Sequence, residues 1–161
     1  DSFYWTGILD DTRSIVTVWL AIDPSTTENG CMYVVPYSHL KPDSDYEDVD
    51  ITKNVFPTEI RDRERIEKLA VPVELAPNHA SLHNSGLIHG SPPNTSPMRR
   101  CGYTMRFMST RVRLNTEKLG GAHQIYLARG RDLGGNEYAD PTRSYPEKLA
   151  ERKLYKKSAL H

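Results

Sequence analysis

Between Ile15 and Arg111 the apolar residues come in short runs, and proline, glycine or asparagine stops each run. Such punctuation leaves room for strands and little for long helices. Residues 15–22 are rich in β-branched and aromatic side chains and predict a buried strand, ended by Pro24. A polar turn over 25–30 follows, with Asn29-Gly30 as a hairpin signal. Residues 31–35 predict the returning strand, stopped by Pro36. Further strands are expected over 71–75, 80–83, 86–89 and 100–111. Residues 41–50 are acidic and loop-like, and 59–69 read as one short exposed helix or a mobile insert. Helices do not alternate regularly with strands, which argues against a parallel α/β sheet. The pattern predicts a mainly β jelly roll with minor helices: two small antiparallel sheets whose open mouth can hold a metal.

The 161 residues suffice for one domain with a real core. A single domain over 1–161 is expected, with 41–69 and 120–145 as loop insertions and 146–161 as a helical or mobile tail. Lys plus Arg equals Asp plus Glu, 21 each, so there is no electrostatic case for nucleic acid or an anionic membrane. The longest apolar run, 15–22, is too short to span a bilayer. The expected partner is a small molecule; the oligomeric state is open. Cys31 and Cys101 make neither a disulfide framework nor a zinc pattern. They read as small core residues of a protein in a reducing, cytoplasmic compartment. The chain opens at Asp1 and runs straight into Phe3-Tyr4-Trp5, so it is expected to be the carboxy-terminal part of a longer protein.

Chemistry concentrates in residues 87–100. His89 ends an apolar run, a proline-rich loop follows, and Arg100 comes eleven positions later. That order predicts His89 and Arg100 on adjacent antiparallel strands, aimed into one barrel. A mononuclear iron that activates oxygen needs histidine and carboxylate ligands on one face and open positions on the other. A dicarboxylate cosubstrate needs a cation at its far end, and the planar fork of arginine suits it. Ser91 can add a hydrogen bond to the same carboxylate. Alternation puts Gly102, Thr104 and Arg106 on the face of Arg100, with Gly102 leaving room for the cosubstrate. Arg106 then meets an anionic substrate or, through a bulge, turns outward into an ion pair. Arg99 points away from Arg100, toward the surface, and Asn94 belongs to the turn.

The run His89-Gly90-Ser91, Asn94, Ser96 and Arg99-Arg100 is preceded by Trp19-Leu20-Ala21-Ile22-Asp23. Between them stand Glu28-Asn29-Gly30-Cys31, Val34-Val35-Pro36 and Ser38-His39. Together these segments resemble the phytanoyl-CoA dioxygenase family, over roughly residues 1–111. The resemblance implies a double-stranded β-helix (a cupin-like jelly roll) that uses Fe(II), 2-oxoglutarate and O2. Family members take two iron ligands from a His-x-Asp motif and a third from a distal histidine. Carried over, Asp1 is the motif aspartate, His89 the distal ligand, and Arg100, with Ser91, the clamp on 2-oxoglutarate. The motif histidine belongs two residues ahead of Asp1, beyond the given sequence. Halogenases of this fold replace the acidic ligand with a small residue, so Asp1 favours hydroxylation. The implied reaction couples conversion of 2-oxoglutarate to succinate and CO2 with hydroxylation of a small organic substrate, a natural product or other secondary metabolite rather than a fatty acyl-CoA.

Plainer roles compete for several residues. Tyr4 and Trp5 follow the aspartate closely, so substrate contact and core packing both fit them. Trp19 reads as core, with a pocket-lining place open to it. His39 reads as a turn residue. His79 and His83 are four apart, but Pro77-Asn78 and the β context oppose a helical metal pair. Both read as structural or solvent-facing. Two other functions remain: a non-catalytic jelly-roll binding module that has lost its iron, and, more remotely, a cupin-type isomerase or sugar-binding domain.

Overall fold

The computed structural model describes residues 1–41, 45–52, 57–115, 117–118 and 124–146. The strands, in chain order, are β1 (Ile15–Ala21), β2 (Met32–Val34), β3 (Tyr46–Asp48), β4 (Thr58–Ile60), β5 (Val71–Val73), β6 (Ala80–Asn84), β7 (His89–Gly90) and β8 (Gly102–Met108). Two short helices accompany them, α1 (Ser2–Trp5) and α2 (Arg63–Glu67). The fold is mainly β, as expected. The tail expected over 146–161 lies, beyond Pro146, outside the described residues. The chain forms two compact units. One holds Asp1 with Val16–Phe107; the other holds Ser2–Ile15 with the described residues from Met108 onward.

The first unit carries two three-stranded sheets, ordered β6-β1-β8 and β5-β2-β7, and the pair β3-β4. Strand β1 runs antiparallel to β6 from Val16↔Asn84 to Leu20↔Ala80. Period-two alternation is plain here: Thr17 and Ala21 are buried and Val16 is exposed, while on β6 His83 is buried and Leu82 is 69% exposed. Strand β2 is antiparallel to both its neighbours, pairing Val34 with Val71 on one side and with His89 on the other.

Three expectations are corrected. Asn29-Gly30 makes no hairpin, because β1 and β2 lie in different sheets. Asn29 is fully buried. Its Oδ1 accepts from the Thr26 amide at 2.8 Å, and its Nδ2 donates to the carbonyls of Pro24 (2.8 Å) and Arg99 (3.4 Å). Gly30 has φ +78°, and a Cβ there would meet the Pro92 carbonyl oxygen at 2.8 Å. The segment is a tight crossing between sheets, packed on the connection after β7. Secondly, β7 and β8 are not neighbours: β7 pairs with β2, and β8 with β1. Pro92, Pro93 and Pro97 lack the N–H groups a hairpin ladder needs, so residues 91–101 carry the chain from one sheet to the other. Thirdly, the stretch 41–69 includes the β3-β4 ladder, with Glu47 opposite Glu59. Arg61 lies 3.7 Å from Glu47, and Arg63 3.4 Å from Glu59, offsetting that like-charge contact.

The second unit has its own apolar cluster of Trp5, Leu9, Ile15, Val112 and Leu114, with Ile8, Met108 and Ile125 packed against it. Its glycine-rich loop is tied down by Asp132, whose carboxylate accepts from the amides of Gly134, Gly135 and Asn136. Asn136 in turn bonds the main chain of Val112 and Leu114, each at 2.8 Å. Of the two cysteines, Cys31 is fully buried in the first unit and Cys101 is partly exposed.

Removing the Asn29 side chain strands buried backbone groups. Asn29→Ala should cost about 1–3 kcal/mol in urea unfolding; an unchanged midpoint would refute the role assigned to this crossing.

Candidate metal centre

Strand β6 presents His83 and strand β7 presents His89, one from each sheet of the first unit. Their ring centroids are 4.8 Å apart, with the planes tilted by 50°. Asp1 completes the group: one ligand-type atom from each of Asp1, His83 and His89 lies within 4.8 Å of the others. His89 Nε2 is 3.8 Å from Asp1 Oδ1. That is too long for a direct hydrogen bond, and suits two groups that share one ion.

Local bonds aim these side chains. His89 Nδ1–H donates to the Leu87 carbonyl at 2.8 Å, which leaves the Nε2 lone pair facing Asp1. The Asp1 main-chain nitrogen donates to the Ser85 carbonyl at 3.1 Å. Arg106 Nη2 lies 3.4 Å from Asp1 Oδ2. Burial lowers the pKa of both imidazoles, His83 to about 4; Arg106 acts the same way on both, and His89 adds to the shift at His83. Both rings are therefore neutral at physiological pH, the state in which histidine ligates a metal. The Asp1 carboxylate and the His89 imidazole, with a second imidazole beside them and no thiolate in the group, suit a mononuclear Fe(II) centre of the oxygenase type. His83 Nδ1 is buried with no hydrogen-bond partner, a further mark of a site shaped around something besides protein.

The other predicted residues are placed as follows. Arg100 precedes β8, and its guanidinium carbon sits 5.7 Å from the centre of the Trp19 ring. Gly102 leaves its space to the Trp19 indole, and not to a cosubstrate as expected: a Cβ there would collide with the ring. Ser91 is exposed. Arg99 is a surface residue, gripping Asp23 through two bonds of 2.7 and 2.9 Å. Asn94 closes its turn on the Met98 carbonyl and the Ser96 amide. Tyr4 and Trp5 belong to the second unit, where Trp5 is core and their rings meet edge to face at 4.8 Å. His79 is exposed. His83 is the main correction, since it is neither solvent-facing nor remote from the candidate ligands. No local signal marks it, because hydrophobicity alone would turn Leu82 inward; the register of β6 against β1 brings His83 inside.

Comparisons with known proteins follow the same line. The family model for phytanoyl-CoA dioxygenase (PhyH) matches residues 1–102. The chain belongs to the phytanoyl-CoA dioxygenase family. Among curated relatives, phytanoyl-CoA dioxygenase domain-containing protein 1 of Danio rerio is 31% identical over 99 residues, covering 60% of this chain and 34% of that protein. The chain spans about a third of the length of the curated relatives it matches. Among solved structures, the non-heme monooxygenase ThoJ in complex with nickel superposes with a TM-score of 0.61. That match has 23% identity and covers 96% of this chain and 53% of ThoJ, and it speaks for the fold alone. EvdO2 from Micromonospora carbonacea var. aurantiaca, complexed with 2-oxoglutarate, gives a TM-score of 0.53 at 27% identity, over 62% of this chain and 41% of EvdO2. This family membership agrees with the expected double-stranded β-helix. No helix among the described residues is long and apolar enough to cross a membrane.

The lowered histidine pKa values predict a pH effect on the metal-free protein. Unfolded, the histidines protonate near 6.5; folded, His83 resists protonation down to about 4. The unfolded chain binds more protons in that window, so folding stability is intact above it and falls as pH drops through it. His83 alone should account for about 3 kcal/mol. Urea unfolding across the window checks this, and His83→Leu should shrink the fall; an equally steep fall in the variant would count against it.

Proposed function

We propose that the intact protein is an Fe(II)- and 2-oxoglutarate-dependent oxygenase that hydroxylates a small organic substrate, of the natural-product or secondary-metabolite kind. The observation that carries this reading is the meeting of Asp1 and His89, 3.8 Å apart across the sheets, in a chain of this family. Asp1 and His89 would hold the metal, joined by the histidine that the family motif places ahead of Asp1. When bound, iron with O2 supplies the oxidising power released by converting 2-oxoglutarate to succinate and CO2.

The chain's own side chains do the positioning. Leu87 fixes the His89 tautomer, and Arg106 steadies the second oxygen of Asp1. Arg100, over the Trp19 ring, takes the distal carboxylate of 2-oxoglutarate as a planar fork, with Ser91 proposed to assist. Asp1 keeps an acidic ligand in place, which favours hydroxylation over halogenation. Of the residues expected to meet substrate, Arg106 is proposed to do so, by charge.

Anaerobic addition of Fe(II) and 2-oxoglutarate to the full-length protein should raise a weak visible charge-transfer band, and oxygen should then yield succinate. His89→Ala should lose both signals. Arg100→Ala should keep metal affinity and weaken 2-oxoglutarate binding by about ten- to a hundredfold. Unchanged cosubstrate affinity in that variant would remove the clamp from Arg100.

A further inference from the structure

Two buried side-chain polar atoms among the described residues have no hydrogen-bond partner: His83 Nδ1 and Ser81 Oγ. They stand two residues apart on β6, so they share one face of the strand, while Leu82 between them points out at 69% exposure. His83 is only 8% exposed. An orphaned buried polar group is costly, and two on one strand face call for a common partner. The neighbours show where that partner runs. At one end, His83 adjoins Asp1 and His89. At the other, Ser81 lies opposite Trp19 in the β1-β6 ladder, and Arg100 covers the Trp19 ring. Residues i and i+2 of a strand are about 7 Å apart, comparable with the span of a five-carbon diacid. By contrast, His89 Nδ1 and Asp1 Oδ2 already have protein partners.

We propose that the inner face of β6 is the floor on which 2-oxoglutarate lies, with His83 hydrogen-bonding its metal-side end and Ser81 its arginine-side end. Imidazole donates from a ring nitrogen and serine from its hydroxyl, so both suit carboxylate or keto oxygens. His83 is then a cosubstrate-binding residue and not a metal ligand. The inference rests on the preceding reading of Asp1, His89 and Arg100.

The test uses the full-length protein and two affinities. Co(II) titration reads the metal site, and anaerobic 2-oxoglutarate titration with Fe(II), followed by the charge-transfer band, reads the cosubstrate. Ser81→Ala and His83→Leu should each weaken 2-oxoglutarate binding about tenfold or more. Both should keep Co(II) affinity and a melting temperature no lower than that of the parent, since each deletes an unsatisfied group. Unchanged 2-oxoglutarate affinity in either variant overturns the proposal. Loss of Co(II) binding in His83→Leu also overturns it, by making His83 a ligand. Should His83→Leu fail to fold, Ser81→Ala decides alone. His89→Ala is the control: if it still binds Co(II) and 2-oxoglutarate, the underlying metal reading has failed, whatever β6 does.

Discussion

The register between β1 and β6 governs the candidate site. It sets His83 against Thr17 and Ser81 against Trp19, and leaves Leu82 outside. A slip of one residue would exchange the faces, bringing leucine in and sending histidine and serine out. On hydrophobicity alone the slipped strand looks better, since burying a leucine is worth about 2 kcal/mol. The observed pairing therefore runs against the local preference of β6. It is held by the long-range ladder to β1, which buries Ile15, Thr17 and Ala21 on one face. A strand kept in the less greasy register is a common sign of chemistry overriding packing.

The electrostatics follow from that choice. Two imidazoles sit close together where water is scarce, and they stay neutral because charging either is unfavourable. Arg106 and Asp1 then form the charged pair of the cluster. A dication drawn to Asp1 would meet the His89 ring nitrogen, which need not first lose a proton. The same burial weakens the metal-free protein in acid, so readiness for metal and acid sensitivity share one cause.

The strand-forming segments were legible from the sequence, because β-branched and aromatic runs such as 15–22 announce themselves. Strand partners were not. Asn29-Gly30 looks like a hairpin turn, yet its amide is spent inside on Thr26, Pro24 and Arg99, the last of which only the folded chain brings near. His89 and Arg100 look like residues of neighbouring strands, but proline in the connection sends the chain across to the other sheet. Strands β3 and β4 escaped notice because they are short, polar and stabilised by cross-strand charge. For the candidate site, spacing singled out His89 and resemblance singled out Asp1, and the fold brings the two together. His83 was masked by an argument against helices that was sound but did not ask which way a strand residue faces. The contact of Arg106 with Asp1 joins opposite ends of a long stretch of chain, and no local pattern encodes it.

The two cysteines divide in reactivity. Cys31 is sealed in, and burial raises its thiol pKa, so it stays protonated and inert toward electrophiles. Cys101 is partly open, with its amide held at 2.9 Å by the same Asp23 carboxylate that grips Arg99. A maleimide-linked fluorophore would therefore settle on Cys101, one residue beyond the stacked guanidinium. Cys101 is therefore an addressable handle next to Arg100, and a spectroscopic reporter there would sit beside that cation without any change to the sequence.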